Sequence, residues 1–264
     1  MKKEILSYLP EQCQWREHLH WYESISSTND LAKKMANEGA PHGTVLIAGH
    51  QTGGRGRLGR SFSSPAGMGV YLSVILRPEC GPEKLMHLTC ACAVAMCNAV
   101  ENALAFRPSV KWINDLVYEK KKLGGILTEL SASSEKTDYA IVGIGINCRQ
   151  TQQDFPAEIR DIATSSEMIT GKPCDLAFLC ASMICALWQM DQTLLCKKEE
   201  MMNLYRKDCI TLGQPIKFLQ DTHVQYGTAV DIDADGALIV SDQNGILRTV
   251  SSGEVSVRGM YGYI

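Results

Sequence analysis

No stretch of this sequence approaches about 18 uninterrupted apolar residues, so no membrane-spanning helix is expected. The opening Met1-Lys2-Lys3-Glu4-Ile5-Leu6 runs into Pro10, Glu11 and Gln12. That apolar region is far too short for a signal peptide. An excess of positive charge is also missing: 26 Lys and Arg stand against 29 Asp and Glu, a net charge of −3. Nonspecific grip on nucleic acid is thereby disfavoured, although a local basic patch is compatible with that balance. Eleven cysteines are present, but no C-x-x-C pair. Without that paired spacing a zinc site is not expected. An odd number of thiols, five of them (Cys90, Cys92, Cys97, Cys180 and Cys185) inside apolar helix-like runs, reads as buried reduced cysteine in a cytoplasmic protein. No Gly-Lys-Ser/Thr marks a phosphate loop of the Walker type.

What is there begins with 264 residues, 45% apolar and 21% charged, ample for a globular core. His20 to Glu23 reads as a strand, ending at the N-cap cluster Ser26-Ser27-Thr28-Asn29-Asp30. A helix is expected from Leu31 to Glu38, then strands over 44–49 and 70–76 and a long Ala- and Cys-rich helix over 85–104. Val110 to Tyr118 and Leu123 to Leu130 read as two strands joined by the basic turn Glu119-Lys120-Lys121-Lys122, with a further strand over 139–147. Helices are expected over 176–205. Beyond Leu212-Gly213 the helix signals vanish, and short strands follow with turns at Asp235-Gly236 and Asn244-Gly245. Two domains are expected, 1–212 and 213–264. The second carries three cations against six anions, a net −3, which leaves the first neutral.

The most informative stretch is Gln51-Thr52-Gly53-Gly54-Arg55-Gly56-Arg57-Leu58-Gly59-Arg60. Its glycines allow close approach of backbone to a ligand. No acid lies near the three arginines in sequence, and in an extended loop Arg55 and Arg57 point to one side. Such a group suits an anion rich in oxygens, phosphate or carboxylate. A solvated basic loop or an RNA-binding Gly/Arg segment is the plainer reading. The flanking buried strands favour a ligand loop at a sheet edge. Lys111, in the apolar run Val110-Lys111-Trp112-Ile113, either snorkels to the surface or meets an anion in a pocket. Asn114-Asp115 is either a plain turn or a support for Lys111. Gly124-Gly125 and Gly143/Gly145 put glycine inside strands, which marks either close packing or a floor under a flat ligand.

These residues resemble the biotin protein ligases. The likeness lies in Ser27-Thr28-Asn29, the Gly-Arg-Gly-Arg-x-Gly-Arg loop at 54–60, Lys111-Trp112 with Asn114-Asp115, Lys122-Leu123-x-Gly125-Ile126-Leu127, Gly143-Ile144-Gly145-Ile146-Asn147 and Gly253-Glu254-Val255-Ser256. The order is the family's, and the motifs span nearly the whole chain. Ile113 departs from the family's usual proline, and Phe62 from the tryptophan of some members. About twenty residues precede the first strand, too few for a DNA-binding module, so no DNA partner is expected.

The resemblance implies an α+β fold: a mixed-sheet catalytic domain of the class II synthetase-like biotin/lipoate ligase type, followed by an SH3-like β-barrel. It implies ATP-dependent activation of biotin as biotinyl-5'-AMP, with Mg²⁺, and transfer to a lysine of a biotin carboxyl carrier protein. Carried over by position, Ser27, Thr28, Asn29 and Gln51 bind the biotin head. Gly54, Arg55, Gly56 and Arg57 wrap the carboxylate and phosphate, and Lys111 bridges the two. Gly124 and Gly125 line the floor. Arg57, Arg60, Phe62, Lys111, Asn114 and Asn147 serve the nucleotide. Arg55, Arg57 and Lys111 are the expected catalytic cations. Lipoate or octanoate ligases share this fold without the arginine loop. They are the alternative enzyme, and a noncatalytic nucleic-acid binder is the alternative of another class.

Overall fold

The computed structural model describes residues 1–220, 223–251 and 258–259. A seven-stranded sheet is built from β1 (Leu19–Tyr22), β2 (Thr44–Ala48), β3 (Gly69–Leu76), β4 (Ser109–Lys111), β5 (Asp115–Tyr118), β6 (Lys121–Ala132) and β7 (Thr137–Asn147). The strand order is β1-β2-β3-β7-β6-β5-β4. Only the β1–β2 pair is parallel, so the sheet is mixed. Every residue of β2 and β3 is buried, which fits their continuous apolar runs, because layers cover both faces.

Alternation along the strands divides those layers. Leu19, Val45, Ile47, Leu72, Val74 and Val142 face a core shared with helices α1 (Lys2–Tyr8), α3 (Leu88–Leu104), α5 (Leu176–Thr193) and α6 (Lys198–Asp208). Leu46, Ile75 and Ile141 face α2 (Thr28–Asn37) through Ala32 and Ala36. The short α4 spans Ser166–Thr170. All eleven cysteines are free; eight are buried and only Cys196 is exposed. Burial pushes the thiols of Cys90, Cys92, Cys97 and Cys180 up, as small core hydrophobes should behave.

One expectation is corrected here. The strand over 110–118 is two strands, β4 and β5, folded antiparallel on each other with Lys111 opposite Asp115. The chain reverses at Trp112–Asn114, and the Trp112–Ile113 peptide is cis. The helices expected over 176–205 are α5, ending at Thr193, and α6, beginning at Lys198.

The C-terminal part forms a five-stranded antiparallel sheet of β8 (Pro215–Gln220), β9 (His223–Ile232), β10 (Leu238–Asp242), β11 (Leu247–Val250) and β12 (Arg258–Gly259), ordered β11-β10-β9-β8-β12. The motif Gly253-Glu254-Val255-Ser256 lies outside the described residues. The turn at Asp235-Gly236 docks on the β4–β5 turn and on α6. Trp112 Nε1 donates to Gly236 O at 2.9 Å, Lys198 pairs with Asp235, and Arg206 donates to Ile232 O. The C-terminal sheet therefore buttresses the residue that follows Lys111.

Candidate active site

Strand register lays one row of residues across the α2 face of the large sheet: Tyr22, Ala48, Tyr71, Gly145, Gly125, Asp115 and Lys111. Cross-strand partners share a face, so the row reads aromatic at one end, bare in the middle and charged at the other. The two glycines make a hollow. A Cβ on Gly145 would lie 2.4 Å from Phe62 Cε1, so the Phe62 ring rests on that floor, edge-on to Tyr71. Gly143 is different. Its Cβ would strike the Asn29 side chain of α2, so this glycine serves helix packing. Gly124 is pressed against the β7 backbone, and Gly125 is the more open of that pair.

One wall of the hollow is polar and uncharged. Ser27 caps α2, its hydroxyl accepting from Asp30 N. Gln51 Oε1 accepts from Thr28 N at 2.8 Å and from Thr28 Oγ1 at 3.1 Å, and Gln51 Nε2 donates to Ser64 Oγ. Ser73 Oγ lies 2.7 Å from Thr28 Oγ1 and 2.6 Å from Asn29 Oδ1. Ser27, Thr28, Asn29, Ser64 and Ser73 are all buried. Their polar atoms satisfy one another, as buried groups must. Ser64 and Ser73 were not singled out from sequence; each looks like an ordinary loop or strand serine until the fold brings it to Gln51 or Asn29.

The opposite wall is charged. Arg57 Nη1 donates to Asn114 Oδ1 at 3.2 Å, and Asn114 Nδ2 donates to Ile126 O. Burial pushes the Arg57 guanidinium below its ordinary value, while the Asp115 charge opposes that shift and Arg60 reinforces it. Lys111 is only 8% exposed and sits opposite Asp115. Lys122 Nζ lies 2.6 Å from Asp115 Oδ1 and borders Gly125. Arg60 is exposed, and its backbone closes the turn that carries Arg57.

Lys122 joins this group, a place that the sequence reading, which put it in a basic turn and in the family motif Lys122-Leu123-x-Gly125, did not give it. A bulge explains the miss. Leu116 pairs with Gly124 and Val117 with Lys122, so Leu123 is an extra residue on β6. That insertion returns Lys122 to the face that holds Asp115 and Gly125. Strict alternation would send it to the other side.

Arg55 corrects the picture of guanidiniums aligned with no acid nearby. Asp30, distant in sequence, lies 2.5 Å from Arg55 Nη1, and Glu129 lies 3.5 Å from Nη2. Arg55 and Arg57 therefore turn to different partners. The loop is a hairpin: Phe62 N donates to Gly54 O, Gly56 N to Arg60 O, and Gly53 N to Ser26 O. Gly54 is required there, since a Cβ would lie 2.3 Å from Phe62 O. Asn147 is buried at the end of the same face, with its amide donating to Thr164 O and accepting from Gln150. It does not join the Arg57–Lys122 group.

Comparison with known proteins identifies the family. The sequence model of the Biotin/lipoate A/B protein ligase family matches residues 21–147, and that of the Biotin protein ligase C terminal domain matches 211–258. The chain is 36% identical over 252 residues to the bifunctional ligase/repressor BirA of Bacillus spizizenii, covering 89% of this chain and 73% of that protein. It is 30% identical over 247 residues to the biotin–[acetyl-CoA-carboxylase] ligase of Mycobacterium tuberculosis, covering 91% and 89% of the two chains. The solved biotin protein ligase of Aquifex aeolicus, in complex with biotin and ATP, superposes with a TM-score of 0.76 at 29% identity, covering 92% of this chain and 99% of that one. A glycine-floored hollow with a polar wall and a cationic wall, on this fold and with these relatives, makes the chain a member of the biotin protein ligases, within the biotin/lipoate A/B protein ligase family.

Proposed function

We propose that this ligase joins biotin to ATP as biotinyl-5'-AMP and then passes biotin to a lysine of a biotin carboxyl carrier domain. The observation that carries the reading is the row Lys111–Asp115–Gly125–Gly145–Tyr71, with Lys122 and Arg57 gathered at its charged end and the Thr28–Gln51 network beside its bare middle. The uncharged wall suits the ureido head of biotin, whose N–H and C=O groups can replace the bonds that Thr28 and Gln51 make to each other. The hollow over Gly125 and Gly145 suits the flat bicyclic ring, and Phe62 must swing off Gly145 to admit it. It can then close over the adenylate and keep water from the anhydride.

In the first step a biotin carboxylate oxygen attacks the α-phosphorus of ATP. The bond to the β-phosphate oxygen breaks, and pyrophosphate leaves. Two anions must approach, at a cost of about 4 kcal/mol for unit charges 4 Å apart at an effective dielectric of ~20. Lys122, Lys111 and Arg57 offset that repulsion, and more strongly as charge grows on the phosphoryl oxygens. Asn114 aims Arg57, and Asp115 aims Lys122. In the second step the acceptor amine attacks the acyl carbon, the acyl–oxygen bond breaks, and AMP leaves. Neither step needs a nucleophile from the enzyme. Mg²⁺ arrives with ATP as part of that substrate. Mg²⁺ bound to ATP phosphates needs as few as one or two carboxylates, and we assign it no protein ligand here.

We further infer that 1–212 carries the chemistry and that 213–264 supports it through the Gly236–Trp112 bond. The test is pyrophosphate release from MgATP with biotin, with lipoate and with neither, followed by label transfer to a carrier domain. Release that depends on biotin alone, followed by transfer, is expected. Release driven by lipoate instead, or none above background, overturns the reading.

A further inference from the structure

Arg55 sits at the root of the glycine–arginine loop, yet its guanidinium is directed at two carboxylates. Nη1 lies 2.5 Å from Asp30 Oδ1, in the first turn of α2, and Nη2 lies 3.5 Å from Glu129 Oε1, on β6. Glu129 is a hub. Its Oε2 accepts from Asn29 Nδ2 at 2.8 Å, and its Oε1 meets Lys33 Nζ at 2.5 Å. Asn29 in turn packs on Gly143 and bonds Ser73 in the uncharged wall. The backbone of Arg55 bridges to Ser61 across the loop hairpin. Fixing this one guanidinium thus ties three things together: the loop, the start of α2 and the sheet beneath the polar wall. The charges of Asp30, Glu129, Lys33 and Arg55 also cancel within the group. Reaching a substrate anion would mean leaving two acids and a matched set. Arg57, by contrast, is hydrogen-bonded to the neutral Asn114.

We propose that Asp30 and Glu129 form a carboxylate clamp on the Arg55 guanidinium, which makes the Arg55 side chain a positioning group that sets the root of the loop and not one that touches the substrate anion. The proposal rests on the reading of this site as one that joins biotin to ATP. It separates two arginines that look equivalent in the Gly-Arg-Gly-Arg motif. Arg57 acts on the anion, and Arg55 holds the strand of loop from which Arg57 reaches.

The experiment compares wild type, Arg55→Gln, Asp30→Asn, the double variant, Asp30→Glu and Glu129→Gln. Biotin-dependent pyrophosphate release is measured across biotin concentrations, and amide exchange of residues 54–60 is measured without ligand. Arg55→Gln and Asp30→Asn are each expected to raise KM for biotin about fivefold, with kcat within about twofold of wild type. The double variant is expected to be no worse than either single one. Asp30→Glu is expected to return KM to the wild-type range. Amide exchange over 54–60 is expected to quicken in Asp30→Asn and, to a smaller degree, in Glu129→Gln.

The clamp is overturned if Asp30→Asn lowers KM or leaves it unchanged while Arg55→Gln raises it, since the arginine then serves the anion itself. Additive losses in the double variant overturn it too, as do variants that all behave as wild type. Should wild type show no biotin-dependent release, the biotin–ATP reading fails. The exchange comparison still decides the clamp, because it needs no substrate.

Discussion

The two walls of the hollow solve opposite problems. The Thr28–Gln51–Ser64–Ser73–Asn29 wall is uncharged, buried except at the half-buried Gln51, and wired mostly to itself. The Arg57–Lys111–Asp115–Lys122 wall is charged and only partly shielded, with its lysine and arginine held by Asp115 and Asn114. In the first, each polar atom already has a partner, so the ligand exchanges bonds and gains specificity from geometry. In the second, positive charge is kept out of bulk water and steered by one carboxylate, so its benefit appears when an anion arrives. Removing a group from the uncharged wall should therefore damage stability and binding together. Removing one from the charged wall should damage the reaction and spare the fold.

The sharpest way to break this contrast is Lys122→Ala. A loss of about 10²–10³-fold in kcat/KM for biotin-dependent pyrophosphate release is expected, with little change in ligand-free Tm. A loss below tenfold would return Lys122 to the status of a surface turn residue. Gly145→Val tests the floor between the walls. Its Cβ falls 2.4 Å from the Phe62 ring, which can turn away, so folding should survive. The filled hollow should weaken biotin binding by about 1–3 kcal/mol, read by calorimetry. Thr28→Val removes the hydroxyl between Gln51 and Ser73. Ligand-free stability should fall by about 1–2 kcal/mol in denaturant unfolding, and KM for biotin should rise in the same variant. Stability unchanged beside a raised KM would break the idea that this wall is wired for itself. The smallest change in stability belongs to Arg57→Ala, whose ligand-free Tm should stay within about 2 °C of wild type while adenylate formation falls. A collapse of Tm would show the arginine to be structural.

The α2 start, the buried runs of β2, β3 and β7, the glycine–arginine loop and the change to short strands after Gly213 were all legible in the chain. Each depends on local signals: N-cap residues, continuous apolar stretches, and glycine and turn pairs. The family pattern grouped Thr28 with Gln51 from the sequence, and the fold joins the two by hydrogen bonds. The glycines were legible as exceptional, but not as different from one another. Gly143 makes room for Asn29, while Gly145 makes a floor. The partition of the arginines was hidden as well, because Asp30 reaches Arg55 only once α2 lies beside the loop. The place of Lys122 beside Asp115 was hidden by a single inserted residue in β6.

Composition and motif order thus set the class of chemistry, because residue types and their local periodicities fix which groups are offered and on which elements. The assignment of partners was left to the folded sheet. Register and one bulge determine which side chains share a face, and a charge is redefined by whichever neighbour the fold sets within a few ångströms of it.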